Sequence, residues 1–458
     1  MSEKLTGTMK KHYEVIFYVS LGTGMAFGTS SFMMVSGLFE YTLSLWVLLS
    51  VLLAGAFCIA IASSVAELAS MYPSTPGVRT YLKAAFGNRT SLVLVYLYLI
   101  FMILIAGVES YVFALIMTAI FPGVSPILVV LGLLGTVIAA NLLGLELPRS
   151  LQILTTAILV VCIVGMGISG LITTPHAWSD VLYLGFEDST AVAQFPAAVG
   201  LAIFLFIGFE WVTPLGFGPD SYARKIPFSM LTAIAINMLA YSVFVLGLAA
   251  ILPRESIVGD SIPHVAYLVG MFGPEAVYLA GFLSMLAIFS TFNAGVMGGS
   301  RLIFLLTREG HLPAWCGRIS LRTGAPIGAI ALLGSLAVVS ALVVVTFELE
   351  LAAAIIGTSF VCVVYAAFML ALRRLRRTQG EVERPFTTRA PRWIQWLIII
   401  SLPLMGVQAL YSARSLPLVL SVIAFVGLSL VLTRWSVARS RRSATVKRPG
   451  FSNVNVRT

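Results

Sequence analysis

Two glutamates stand where carboxylates are costly. Glu109 lies in MILIAGVESYVFA and Glu210 in LFIGFEWVTP, each inside a long apolar run. An ionised side chain at the centre of a bilayer costs at least about 3 kcal/mol, so an acid kept there points to binding or to proton movement. No lysine or arginine lies deep in an apolar run to pair with either acid. The partners left are exogenous cations: the amine of a small solute, or a coupling proton. Glu67 lies nearer the cytoplasmic end of its run and reads as an anchor for the adjacent loop. Ser290, Thr291 and Asn293 form a polar cluster in a further run. That cluster suits a solute, a sodium ion held by hydroxyls and first-helix carbonyls, or hydrogen bonds between packed helices.

The chain around Glu210 reads LFIGFEWVTPLGFGPDSYARKIP (205–227). Gly208, Pro214, Gly216 and Gly218 interrupt the helix that the apolar pattern predicts, because proline removes a donor and glycine accepts the dihedrals of a break. A second interruption, SLGTGMAFGTSSF (20–32), carries Gly22, Gly24 and Gly28 followed by Thr29, Ser30 and Ser31. Irregular backbone at membrane depth persists only where it lines a cavity or is buried in protein. Two interrupted spans, the first and the sixth, are the sequence mark of a five-plus-five inverted repeat with a binding site near the midplane. Exposed amides at a half-helix N-terminus attract anions, and exposed carbonyls attract cations. Trp211 and the phenylalanines beside it read as packing before they read as a gate.

The elements that carry these residues follow from composition. The chain has 458 residues, 59% hydrophobic and 10% charged. A soluble domain carries about 25% charged residues, so most of this surface must face lipid. Runs long enough to span occur near 14–38, 42–69, 91–121, 125–143, 149–172, 193–218, 229–252, 274–306, 327–347, 351–373, 393–413 and 415–435. The expected fold is therefore an all-α membrane protein of twelve spans. It divides into a cytoplasmic N-terminus (1–13), a first repeat (14–172), an inverted repeat (193–373), two extra helices (393–435) and a cytoplasmic tail (436–458). With the N-terminus inside, only Arg254 and Arg414 of the 29 lysines and arginines fall outside, as the positive-inside rule requires. The outer loops carry Asp180, Glu187, Asp188, Glu255, Asp260, Glu348 and Glu350. A multi-pass protein of the cell (inner) membrane with both termini cytoplasmic is expected. The basic loop 373–392 reads as a solvated inside loop that also attracts anionic headgroups. The tail from 436 reads as disordered.

Several stretches resemble the amino acid–polyamine–organocation superfamily. AFGTSSF (26–32) resembles its first-helix break, and AELASMYPSTPGVRTYLKAAFGN (66–88) its second helix and following loop. ANLLGLELPRSLQIL (140–154) is similar to the fourth-to-fifth helix joint, FIGFEWVTPLGFGPDSYARKIP (206–227) to the sixth helix, and STFNAGVMGGSRLIFLLTREGHLP (290–313) to the eighth. These matches run in order over most of the chain. The resemblance implies a LeuT-like fold and secondary transport of amino acids or related amines by alternating access, coupled to a proton, a counter-substrate or sodium. It implies solute contacts from Gly28, Thr29, Ser30 and Ser31 on the first helix, and from Phe204, Ile207, Gly208 and Glu210 on the sixth. Asn293 and Glu109 complete the candidate set, with Glu210 and Glu109 the candidates for proton coupling. Three departures matter. Ser30 replaces the second glycine of the first break and crowds, or adds a donor to, the nest for a substrate carboxylate. The sixth-helix ending is reduced to Asp220 and Ser221. The fifth span carries no lysine to stand in for sodium. The carboxylates and Ser30 tilt the reading toward a cationic amino acid or amine, with a polyamine permease as the alternative.

Other classes are disfavoured. The net charge of +10 follows loop topology, and no aromatic residues interleave the basic runs as nucleic-acid binding needs. GTGMAFG lacks the strand and acid of a dinucleotide site. The four cysteines and four histidines form no metal-ligand pattern, and no cofactor is implied. Neither a nucleophile–base pair nor a filter-like repeat appears, so an enzyme and a channel are poor readings.

Overall fold

The computed structural model describes residues 2–42, 44–73, 77–145, 148–173, 189–215 and 221–446. Among them every regular element is helical. The first apolar run forms α1 (Ser2–Ala26) and α2 (Thr29–Tyr41), bent by 52° at the two residues between them. Then come α3 (Ser44–Met71), α4 (Gly77–Ile120), α5 (Pro126–Leu142) and α6 (Arg149–Thr173). The sixth run is α7 (Ser189–Ala202) followed by 3₁₀ turns Ile203–Phe206 and Phe209–Leu215. α8 (Ile226–Ile251), the short α9 (Pro263–Phe272), α10 (Ala276–Arg308), α11 (Ile327–Phe347), α12 (Glu350–Thr378), α13 (Arg392–Ser412) and α14 (Leu416–Val446) complete the chain.

Ten of these helices are long and apolar enough to cross a membrane, and the bent α1–α2 pair makes eleven. Of the twelve runs expected, that at 125–143 appears as the shorter apolar helix α5, 17 residues, or about 25 Å at 1.5 Å per residue. The loop expected at 253–273 contains α9, whose His264 is buried and stacks on Phe32 at 4.0 Å. With its ring shut away from water, the charged form of His264 is disfavoured and its pKa falls to about 3. The acids expected in the outer loop at 180–188, with Gly216, Gly218 and Asp220, lie outside the described residues.

α4 forms the scaffold. It packs against α12, α11, α10 and α14. Gly87, at φ 77°, turns an amphipathic first segment into the span proper, a conformation that needs glycine.

Two ionic knots tie distant segments of the chain together. Arg79, fully buried, donates to Glu309 at 2.8 Å, and Lys83 reaches the other oxygen at 2.6 Å. Arg79 also holds Asn88 and Ser91, and His311 Nε2 lies 3.5 Å from Glu309. This knot ties the start of α4 to the end of α10. In the second knot Arg376 donates to Glu67 at 2.8 and 2.5 Å, and the Thr388 amide donates at 2.7 Å. Among the described residues Glu67 thus anchors the distant segment 373–392, where the adjacent loop was expected. That loop is held against α3 and is more than a solvated connector, because a buried carboxylate needs charged and amide donors. The tail also differs from expectation: α14 continues to Val446, so Arg439 and Arg441 are helical, and Arg439 donates to the Leu312 carbonyl at 3.3 Å.

Burial alone would raise the Glu309 carboxyl, but hydrogen bonds from His311 and Lys83 and the charge of Arg79 bring it down to about 2. A depressed carboxyl contributes stability that is complete above its ordinary value of 4.5 and disappears as pH falls through about 2. Glu309→Gln should destabilise the fold by roughly 3 kcal/mol, since it strands a buried guanidinium. It should also flatten the loss of stability between pH 4.5 and 2. Thermal unfolding across pH checks both; an acid response like that of the wild type would refute this account of the knot.

Candidate solute-binding site at the two helix breaks

At the first break only Phe27 and Gly28 leave the helix. Gly22 and Gly24 remain helical, contrary to the wider interruption expected. Their role is close packing: a Cβ on Gly24 would sit 2.6 Å from Thr156 Oγ1 and 2.8 Å from Gln152 Nε2. Ending α1 at Ala26 leaves a carbonyl without a helical partner, and the Ser31 and Tyr241 hydroxyls each donate to it at 2.6 Å. Thr291 Oγ1 donates to the Met25 carbonyl at 3.5 Å.

The other side of the gap is the N-terminus of α2. There the Glu109 carboxylate is seated. Thr29 Oγ1 donates to Glu109 Oε2 at 2.6 Å, the Ser30 amide to the same oxygen at 3.1 Å, and Ser30 Oγ to Oε1. A Cβ on Gly28 would come within 2.7 Å of the Glu109 carboxyl carbon, so glycine makes room for the acid. Glu109 does not stand open to the chamber; it is 3% exposed and caps the half-helix.

At the second break Gly208 adopts φ 122°, and a Cβ there would meet Met25 Cβ at 2.6 Å. Its amide donates to Glu210 Oε2 at 3.2 Å. Tyr98 Oη donates to Glu210 Oε1 at 2.5 Å and Tyr365 Oη to Oε2 at 2.9 Å. Phe204 and Ile207 line the buried turn before Gly208, joined by an amide–carbonyl bond of 3.2 Å. Trp211 stacks on Tyr98 at 5.9 Å and lies directly against Gly298 of α10.

The two breaks therefore lie within one buried region. Thr29, Ser30 and Ser31 meet Glu109 or the end of α1, and Gly208 meets Glu210. Asn293 is half-buried on α10, about one turn from Ser290. Two recesses among the described residues lie outside this region. One, about 880 Å³, opens between α3, α8 and the loop before α13, and the other is a small apolar pocket between α4, α5, α10 and α11.

Sequence reasoning missed five side chains here. Tyr98 lies eleven residues before Glu109 on α4, which is three turns and the same face. Tyr365 is a tyrosine inside an apolar span, and its hydroxyl needs a partner there. Tyr241 is another. Gln152 and Thr156 on α6 converge on α1: Gln152 Nε2 donates to Ser290 Oγ at 2.7 Å and to the Ser20 carbonyl at 3.5 Å, and Thr156 Oγ1 donates to the same carbonyl at 3.0 Å. The Gln152 amide thus links the Ser290 hydroxyl of α10 to the Ser20 carbonyl of α1.

A family profile described as "Amino acid permease" matches residues 15–442. The gamma-aminobutyric acid permease of Escherichia coli (strain K12) is 25% identical over 415 residues, covering 85% of this chain and 87% of that protein. The uncharacterized amino acid permease YecA of Bacillus subtilis (strain 168) is 24% identical over 329 residues, covering 68% and 74%. Among solved structures, the Eremococcus coleocola manganese transporter in complex with an aromatic bis-isothiourea substituted compound superposes with a TM-score of 0.60 at 15% identity. It covers 93% of this chain and 95% of that one, a likeness of fold alone. The LeuT-like architecture that the family resemblance implies is therefore the fold of this protein.

Tyr98→Phe and Tyr365→Phe each remove a donor to a buried carboxylate. Each should lower stability by roughly 2 kcal/mol, the scale for hydrogen bonds to charged groups. Gly28→Ala should cost more than either, because the glutamate has to leave its seat. Unfolding of the purified protein measures the three, and a neutral Gly28→Ala would contradict this geometry.

Proposed function

The chain belongs to the amino acid permease family, and from that premise we propose that it carries an amino acid or related small amine across the cell membrane by alternating access. The observation that supports this reading most is the pair of breaks. Four half-helix ends meet in a buried region that holds two carboxylates and, among the described residues, no lysine or arginine deep in a span. A protonated amine complements that charge. The solute lies between Gly28–Ser31 and Phe204–Glu210, with Glu109 and Asn293 beside it. The closed state reopens toward the cytoplasm when the knots on Glu309 and Glu67 part. Both termini face the cytoplasm, as the distribution of lysine and arginine supports.

For coupling we favour a proton or a counter-substrate over sodium. The partners of Glu210 are two neutral hydroxyls and an amide, so a proton is the cation that can neutralise it within the fold. Gln152 satisfies the hydroxyl and the carbonyl that a sodium ion would use. No group of three His, Cys, Asp or Glu among the described residues is placed to hold a metal ion, so a metal cargo is the poorer reading.

Reconstituted vesicles preloaded with unlabelled amino acids or amines should take up the same labelled solute by counterflow, with equal rates in sodium and in choline buffer. Glu210→Gln should abolish the pH dependence of uptake while the protein still binds solute. Strict sodium dependence would overturn the coupling proposal, and flux growing without saturation would overturn the carrier reading.

A further inference from the structure

The seat of Glu109 bears on which end of the solute the first break recognises. α2 begins at Thr29 and presents the positive end of a 13-residue helix to the middle of the protein. In a transporter built on broken helices, such an end faces the anionic group of the cargo. Here it is already taken. Glu109 reaches across from α4 and receives the Ser30 amide, the Thr29 hydroxyl and the Ser30 hydroxyl, so both carboxylate oxygens are engaged. The seat fits it closely, because the carboxyl group lies against the Cα of Gly28 with no room for a Cβ. The Ser30 amide can only donate to Glu109, and the Thr29 and Ser30 hydroxyls are placed to donate beside it.

The second break repeats the arrangement independently. Its amide at Gly208 donates to Glu210, whose oxygens are also engaged by two tyrosine hydroxyls. Each half-helix gap is thus filled by a carboxylate of the chain itself. A solute carboxylate would find the donors of both gaps already engaged by resident carboxyl groups. An ammonium group finds carboxyl oxygens that can accept from it.

We infer that Glu109 is a specificity-determining residue that stands in for the substrate carboxylate, so that the protein selects organic amines lacking a carboxylate over the corresponding α-amino acids. This rests on the carrier reading above and narrows its substrate class. The seat also explains the departure at Ser30. A serine there crowds an incoming carboxylate but gives the resident one an extra hydroxyl donor.

The test uses the purified full-length protein and matched pairs differing only by the carboxylate: cadaverine with lysine, agmatine with arginine, tyramine with tyrosine. Binding is measured by calorimetry and by thermal stabilisation. In at least one pair the wild type should bind the amine about tenfold or more tightly than its amino acid. Glu109→Ala, which vacates the seat, should narrow or reverse that ratio by admitting the amino acid. A wild type that binds the amino acid of every responding pair as well as the amine overturns the inference and leaves the carrier reading standing. So does a folded Glu109→Ala that keeps the wild-type ratio. If Glu109→Ala fails to fold, the wild-type ratios decide alone. Absence of binding by any member, in wild type and variant alike, overturns the carrier reading and the inference with it.

Discussion

A backbone that leaves the helix inside a membrane must find its hydrogen bonds within the protein, because lipid offers none. Each unpaired amide or carbonyl there costs several kcal/mol. The architecture around residues 26–29 and 207–210 follows from that constraint. Two hydroxyls, from Ser31 and Tyr241, satisfy the carbonyl end of α1, and a carboxylate from α4 satisfies the amide end of α2. The second gap is stitched by its own Glu210, braced from α4 and α12. The acids that appear anomalous in an apolar sequence are therefore part of what makes the breaks possible.

This dual character connects stability to transport. On the proposed function, a group that holds a break together and also meets the solute cannot be optimised for one role alone. α4 supplies Glu109 to the first break and Tyr98 to the second, about 16 Å apart along the helix at 1.5 Å per residue. One rigid element thus senses both gaps. The same helix begins with Arg79 and Lys83 in the ionic knot on Glu309, so one element links that knot to both gaps.

Much of this fold was legible in the sequence because lipid imposes simple patterns. Runs of about 20 apolar residues and the sidedness of lysine and arginine depend on composition alone. The two broken spans were legible too, since glycine and proline announce them. The extent of the first break was not. Gly22, Gly24 and Gly28 look alike in sequence, yet only Gly28 unwinds, because the other two are needed where α6, α8 and α10 press on α1. The site was half legible. Glu109 and Glu210 were found by their cost, but their partners were not. Which face of α4 meets α2 is a tertiary fact, and so is the reach of Gln152 to Ser20 and Ser290. Glu67 shows the same limit: its cost is visible locally, but its partners, Arg376 and Thr388, lie more than 300 residues away.

The central claim is that two unwound gaps, each filled by a resident carboxylate, form one solute site at the middle of the membrane. An electron cryomicroscopy structure of the full chain in a lipid nanodisc, saturated with an amine that stabilises it, tests this most directly. The account predicts helices interrupted at Phe27–Gly28 and Gly208, the Glu109 carboxylate on the Ser30 amide, and ligand density between the two gaps. Continuous helices through both positions, or a ligand bound away from them with Glu109 turned elsewhere, would contradict it.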